Sequence, residues 1–256
     1  GKPVAVGKIG TSELIALRYA LAQKPLDDYL RHEMFVLSGF FPFELEHVQR
    51  FQALFAEVLG QMTHIAVWGN VGEAGMIRRH GPQARLIDRS TLEPYKLASP
   101  WTRALEGKRV VVVSPFQKSI ETQYPKRNEI WRDKPGVLPD FHLRTVQSPF
   151  SPGLVPPREA DWFERLERLW EQVSAEEFDV WLIGAGGLSL PLAVRCAALG
   201  KVGIHMGGTT QIHFGIWGRR WNADAALKQI KNSAWVSPLP EETPTNSRIQ
   251  DNNSYW

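Results

Sequence analysis

The sequence predicts an α/β fold: a single Rossmann-like domain with a mostly parallel sheet and helices on both faces. Three observations carry this. Short apolar runs alternate with segments of helical period along most of the chain. The run Arg109-Val110-Val111-Val112-Val113-Ser114 is continuously β-branched and apolar, as suits a strand buried on both faces of a parallel sheet. Residues 178–183, 188–199 and 202–206 read as one β-α-β unit, whose right-handed crossover puts its helix on a sheet face.

In chain order, residues 4–10 read as a strand ending at Gly10, followed by Thr11-Ser12-Glu13 and the apolar positions Leu14, Leu17 and Leu21 of a helix. A second helix is expected over 43–60, because Val48, Phe51, Leu54, Phe55, Val58 and Leu59 recur at three and four residues and share a face. Short strands follow at 64–68 and 85–87, then the strand at 109–114. Residues 116–131 have helical spacing, which Pro125 must kink or split. Another strand is expected at 141–146 and a Pro- and Ser-rich loop at 148–157. Residues 159–174 form an amphipathic pattern with Trp162, Phe163, Leu166, Leu169, Trp170 and Val173 on one stripe. The domain is expected to span 1–236, and the tail 237–256, rich in Pro, Glu, Asn and Thr, to wrap irregularly over it.

With 256 residues, 43% of them hydrophobic, the chain can bury a sizeable core. Thirty Lys and Arg against 27 Asp and Glu leave a net charge of +3, too small a surplus for a polybasic face, so no nucleic-acid partner is expected. The lone cysteine, Cys196, follows an apolar helix pattern and reads as a buried small side chain in a reducing compartment. No apolar stretch reaches the ~18 residues of a transmembrane segment, and the first 20 residues lack a signal pattern. The expectation is a cytoplasmic protein, at most peripheral to the inner membrane. The chain begins with Gly1 and not Met, which points to processing or to a piece of something longer.

In parallel sheets ligands sit beyond the carboxyl ends of the strands, so chemistry is sought just after each strand. Four places qualify. At Gly10-Thr11-Ser12-Glu13 a glycine, two hydroxyls and a carboxylate gather at a helix start; the plain alternative is that Thr11 or Ser12 caps the helix and Glu13 complements its dipole. Ser114-Pro115-Phe116-Gln117-Lys118-Ser119, with Gln123, Tyr124, Lys126 and Arg127 behind it, offers hydroxyl, amide and cations to a sugar or phosphate, or is simply a solvated helix face. Gly184-Ala185-Gly186-Gly187-Leu188-Ser189 is a glycine-rich turn whose backbone N–H groups can approach a phosphate, or a tight turn packing helix on sheet. Its Ser189 replaces the third glycine of a dinucleotide fingerprint and His205 stands where a ribose-binding acid belongs, which counts against NAD. No Gly-Lys-Ser/Thr ending supports a P-loop. The fourth place runs from His205 through Gly207, Gly208, Thr209, Thr210 and Gln211 to Arg219, Arg220 and Trp221. Two glycine turns on adjacent strand ends predict a shared crevice. The seven histidines include no His-x-x-x-His pair. Of ten tryptophans, Trp162 and Trp170 read as core; Trp217, Trp221, Trp235 and Trp256 lie among polar residues and either stack on a sugar or fill core and rim.

Together, Lys8-Ile9-Gly10-Thr11-Ser12-Glu13, Pro100-Trp101 with Leu105-Glu106-Gly107-Lys108 ahead of Ser114-Pro115-Phe116, the Gly184 to Gly187 turn, the block from His205 to Trp221 and the ending Tyr255-Trp256 resemble the GT-D type of glycosyltransferase. The likeness runs over almost the whole chain. It implies a nucleoside diphosphate sugar donor and a divalent metal, Mn²⁺ or Mg²⁺, held with the diphosphate by an Asp-x-Glu motif near the first strand end. Glu13 matches the acid of that motif, and Thr11 replaces its aspartate. One carboxylate with two hydroxyls is a poorer cation site than two carboxylates.

The resulting expectation is transfer of a sugar from the donor to a glycan or lipid-linked hydroxyl acceptor. Glu13 is the candidate base and doubtful metal ligand. The nucleotide-sugar site would comprise Gly10, Thr11, Ser12, Ser114, Phe116, Arg127, Gly184, Gly186, Gly187, Gly207, Gly208, Gln211, Arg219 and Arg220, the arginines adding charge where the metal is weak. The rival readings are a non-catalytic nucleotide- or glycan-binding module and a nicotinamide or adenosyl enzyme.

Overall fold

A seven-stranded parallel sheet of order β3-β2-β1-β7-β6-β4-β5 organises the computed structural model, which describes residues 2–249 and 253–256. The strands are β1 (Val4–Gly7), β2 (His64–Val67), β3 (Arg85–Asp88), β4 (Arg109–Ser114), β5 (His142–Gln147), β6 (Val180–Ile183) and β7 (Val202–His205). The helices are α1 (Thr11–Leu21), α2 (Asp28–Arg31), α3 (Leu45–Gln61), α4 (Glu73–His80), α5 (Gln117–Gln123), α6 (Arg127–Ile130), α7 (Trp162–Ser174), α8 (Ser189–Ala198), α9 (Thr209–His213) and α10 (Ala225–Ile230). No helix among the described residues is long and apolar enough to cross a membrane.

The valines of β4 show why the strand is continuous in sequence. Val111 and Val113 enter the core built with α1, α3, α7 and α8, while Val110 and Val112 enter a second core on the other face with α5, α6 and α9. Trp181 and Ile183 of β6 divide from Val180 and Leu182 in the same way. Both faces are therefore covered, and a polar residue on either side of these strands would be buried. The first core centres on an aromatic cluster: Phe51 lies 4.3 Å from Phe55, 4.8 Å from Phe40 and 5.1 Å from Trp162, centroid to centroid. α8 packs against β1, β6 and β7. Its close approach needs Gly203, where a Cβ would meet the Ala193 carbonyl oxygen at 2.6 Å. Cys196 is buried on this helix, and burial raises its thiol pKa to about 12.

Several boundaries differ from expectation. β1 ends at Gly7, not Gly10, because its register with β2 stops at Gly7↔Ile65 and Lys8-Ile9-Gly10 leaves the sheet. Leu21 is exposed, although Leu14 and Leu17 are core. α7 starts at Trp162 because the Asp161 side chain accepts from Glu164 N at 2.7 Å, an N-cap that fixes the start. Pro125 splits the segment after β4 into α5, a 3₁₀ turn at Tyr124–Lys126 and α6. α2, the π-helical turn His32–Ser38, α4, α9 and α10 had no sequence expectation. The tail runs irregularly over the domain with short 3₁₀ turns at Pro240–Glu242 and Ser247–Ile249; its residues 250–252 lie outside the described residues.

This topology sets the position of a site. The chain leaves β1 into α1 on one face, whereas β7 feeds Met206 and Ile212 on the other. β1 and β7 are hydrogen-bonded neighbours, so their carboxyl ends diverge and open a crevice between them.

Candidate functional site

A cleft of about 560 Å³ lies over the carboxyl ends of β1, β4, β6 and β7. It brings together Gly10, Thr11, Ser12, Glu13, Ser114, Phe116, Gly184, Gly186, Gly187, Gly207, Gly208, Gln211 and Arg220 from the expected set.

Glu13 sits at its floor, 7% exposed. Gly10 is the N-cap of α1, and a methyl group there would overlap Glu13 Oε2, so only glycine lets the carboxylate fold back over the helix start. Glu13 Oε1 accepts a hydrogen bond from Ser38 Oγ at 2.5 Å. Gly187 makes room for that pair: a Cβ would lie 2.5 Å from Ser38 Oγ and 3.2 Å from Glu13 Oε1. Burial pushes the Glu13 pKa upward and neighbouring Glu33 adds to the rise, against the hydrogen bond from Ser38, its own backbone N–H and the charge of Lys8. Neither Thr11 nor Ser12 caps the helix. Ser12 Oγ instead donates to Glu33 Oε2 at 2.8 Å, and Thr11 lies exposed at the cleft.

The two glycine turns touch each other. A Cβ on Gly184 would stand 2.8 Å from both the Gly207 carbonyl oxygen and Thr210 Oγ1. Among the described residues, four buried polar atoms of the cleft lining have no protein partner: Ser148 Oγ, His205 Nδ1, Thr210 Oγ1 and Gln211 Oε1. Buried groups of this kind are normally hydrogen-bonded, so these mark a polar wall able to bond a ligand. The His205 imidazole is held neutral by burial and by Lys8, its pKa lowered to about 3.

The other wall was not anticipated. Lys8 Nζ lies 4.1 Å from the centroid of the Trp68 ring and the Arg89 guanidinium 5.0 Å from it. Glu73 builds the Trp68 turn, accepting from the backbone N–H groups of Trp68, Gly69 and Asn70 at 3.0, 2.7 and 3.1 Å. The Arg220 guanidinium lies over Tyr255 at 4.8 Å. Burial first, then the charges of Arg220 and Arg89, bring the Lys8 pKa down to about 8, while Glu93 and Glu13 oppose the drop. Lys8, Glu33, Ser38, Trp68 and Arg89 were not expected site residues; Lys8, Trp68 and Arg89 each directly follow a strand, β1, β2 and β3, the signal that could have found them, whereas Glu33 and Ser38 carried none.

Two expected residues are elsewhere. Arg127 pairs with Asp140 at 2.8 Å and stacks on Tyr124, outside the cleft. Arg219 is exposed and does not line the cleft, since the chain turns between it and Arg220. Of the two readings of Lys118 and Ser119, a phosphate site or a solvated helix face, neither holds, because the helix start is filled from within. Glu242 of the tail accepts from Lys118 N at 2.7 Å, from Ser119 N at 3.2 Å and from the Ser119 hydroxyl. Gln123 is turned away, donating to the Ala234 carbonyl at 2.8 Å. Trp217 and Trp235 are core, 5.8 Å apart, whereas Trp221, Tyr255 and Trp256 line the cleft.

The residues around Glu13 do not fit a divalent cation. Glu13 has one oxygen taken by Ser38, the neighbouring Glu33 carboxylate accepts from Ser12, and Lys8 adds a positive charge. Mn²⁺ and Mg²⁺ want several anionic oxygens. Among the described residues no group of three or more His, Cys, Asp or Glu side chains is placed to hold a metal ion. No family model, curated protein or solved structure matches this chain.

Proposed function

We propose that this protein transfers a sugar from a nucleoside diphosphate sugar to a hydroxyl of a glycan or lipid-linked acceptor. The observation that carries the reading is Glu13: a buried carboxyl of raised pKa, facing two abutting glycine turns in a cleft rimmed by cations. The resemblance to GT-D glycosyltransferases supports it. The acceptor hydroxyl gives its proton to the Glu13 carboxylate while its oxygen bonds to the anomeric carbon. The bond from that carbon to the diphosphate oxygen breaks, and the diphosphate leaves with the electron pair. A general base works best with a pKa near the working pH, and burial moves Glu13 in that direction. Among the described residues the Gly186 and Gly208 backbone N–H groups have no protein acceptor and offer donors to the leaving charge, whereas the Gly207 N–H is spent on the Ile183 carbonyl at 3.2 Å. Trp221, Tyr255 and Trp256 offer faces for a sugar or base. Donor supply favours a cytoplasmic site, beside a membrane-bound acceptor.

A panel of nucleoside diphosphate sugars, assayed for release of the diphosphate with and without acceptors, tests the reading. Glu13→Gln is expected to slow transfer by at least ~100-fold with little change in nucleoside diphosphate affinity. Binding without turnover across the panel would leave a non-catalytic module, and a Glu13→Gln variant of full activity removes the base.

A further inference from the structure

Three cations stand at one end of the cleft, none within ion-pairing distance of an acid among the described residues, although Glu93 and Glu13 lie close enough to act on Lys8. Lys8, Arg89 and Arg220 all line it, and none forms an ion pair among the described residues. The adjacent acid, Glu93, is engaged elsewhere: it pairs with Lys96 at 3.0 Å and accepts from the Tyr95 hydroxyl at 2.9 Å. Two of the cations rest on the backbone of the second glycine turn. A Cβ on Gly207 would lie 3.3 Å from Lys8 Cε, and one on Gly208 would lie 3.3 Å from an Arg220 guanidinium nitrogen. Like charges gathered on one wall repel, and repulsion of this kind is relieved when a polyanion enters. Beside them, Thr210 is 1% exposed and its hydroxyl is unpartnered.

We propose that Lys8, Arg89 and Arg220 bind the diphosphate of the donor directly, doing the work for which the resemblance implies a divalent metal. The inference rests on the sugar-transfer reading and specifies how that site holds its anion. Guanidinium groups suit the task, since each can donate two parallel hydrogen bonds to phosphate oxygens, and Lys8 adds a point charge. The diphosphate of the donor carries two negative charges and gains a third as it leaves, matching the three cations of this wall, whereas orthophosphate carries at most two near neutral pH.

The test is titration calorimetry of the full chain with inorganic pyrophosphate in excess EDTA, repeated with Mn²⁺ in place of chelator. Saturable binding is expected in EDTA, changed less than about threefold by Mn²⁺, tighter than orthophosphate and weakening as salt is raised. Lys8→Met, Arg89→Gln and Arg220→Gln are each expected to weaken pyrophosphate about tenfold, with Lys8→Arg restoring most of the loss. Ligand-free melting curves show that each variant is folded. Pyrophosphate binding seen only with Mn²⁺, or variants that bind like the parent, overturns the inference and leaves sugar transfer standing. Chelator-independent binding by a protein that transfers no sugar keeps the inference and removes the enzyme. No binding under either condition overturns the inference and leaves sugar transfer to be decided by the donor panel.

Discussion

His213 is fully buried against Phe214, and both of its ring nitrogens lack partners among the described residues. Burial lowers its pKa from 6.5 to about 3, as it does for His205 with help from Lys8. Between those values the unfolded chain takes up a proton at each site and the folded chain does not. Stability is therefore fully present above pH 6.5 and is lost as pH falls toward 3. His213→Leu, which fills similar space without a titrating group, is expected to flatten that slope while leaving the His205 contribution. Parallel melting-temperature profiles for parent and variant would show that His213 titrates normally. Glu13 has the opposite sign. Its raised pKa means the folded state holds a proton longer than the unfolded one, so its contribution falls as pH rises from 4.5 to the shifted value. Transfer should follow the same ionisation upward, with its acid limb displaced above that of an ordinary glutamate and absent in Glu13→Gln.

At the scale of elements, the tail and α5 depend on each other. α5 spans only Gln117–Gln123, and its first free N–H groups are satisfied by Glu242, 2% exposed and more than a hundred residues away in sequence. The tail is further held by Trp256 Nε1, which donates to the Glu242 carbonyl at 2.7 Å, and by Gln211 Nε2, which donates to the Tyr255 carbonyl at 2.7 Å. Glu242→Ala leaves several donors buried without partners, at a cost of about 1–3 kcal/mol. Urea unfolding should report that loss, and hydrogen exchange at Lys118 and Ser119 should quicken. Unchanged exchange at both amides would mean the carboxylate does not cap the helix. The sequence left Ser114 to Ser119 between a sugar or phosphate site and a solvated helix face, because a strand, a turn and a helix start sit there. It could not show that the ligand is the chain's own glutamate, because that pairing is fixed by where the tail crosses the domain.

For the whole molecule, stability concentrates where α3, α7 and the Phe40 segment meet. Trp162 is fully buried there and its backbone N–H also donates to the Phe41 carbonyl at 2.7 Å. Trp162→Ala is expected to cost about 3–5 kcal/mol, a large part of the 5–15 kcal/mol available to a typical domain. A loss under about 1 kcal/mol in urea titration would mean that the cluster is not a principal core. The parallel sheet and the β4 strand, the stripes of α3 and α7, and the break at Pro125 were legible from residue type and period alone, because burial on one face or two writes itself into local pattern. So were Glu13 and the glycine turns, since a strand running into glycine and a polar helix start is a local signature. What only the tertiary structure decided is which of these meet. Strand order β1-β7-β6 brings the turn after β6 back to the start of α1 and so sets Glu13 against Gly187; the crossing of separate loops collects Lys8, Arg89 and Arg220 on one wall and leaves Arg127 and Arg219 outside it. The physical reason is that hydrophobic period is local, whereas electrostatic and steric neighbours are set by chain segments distant in sequence that fold back to within a few ångströms.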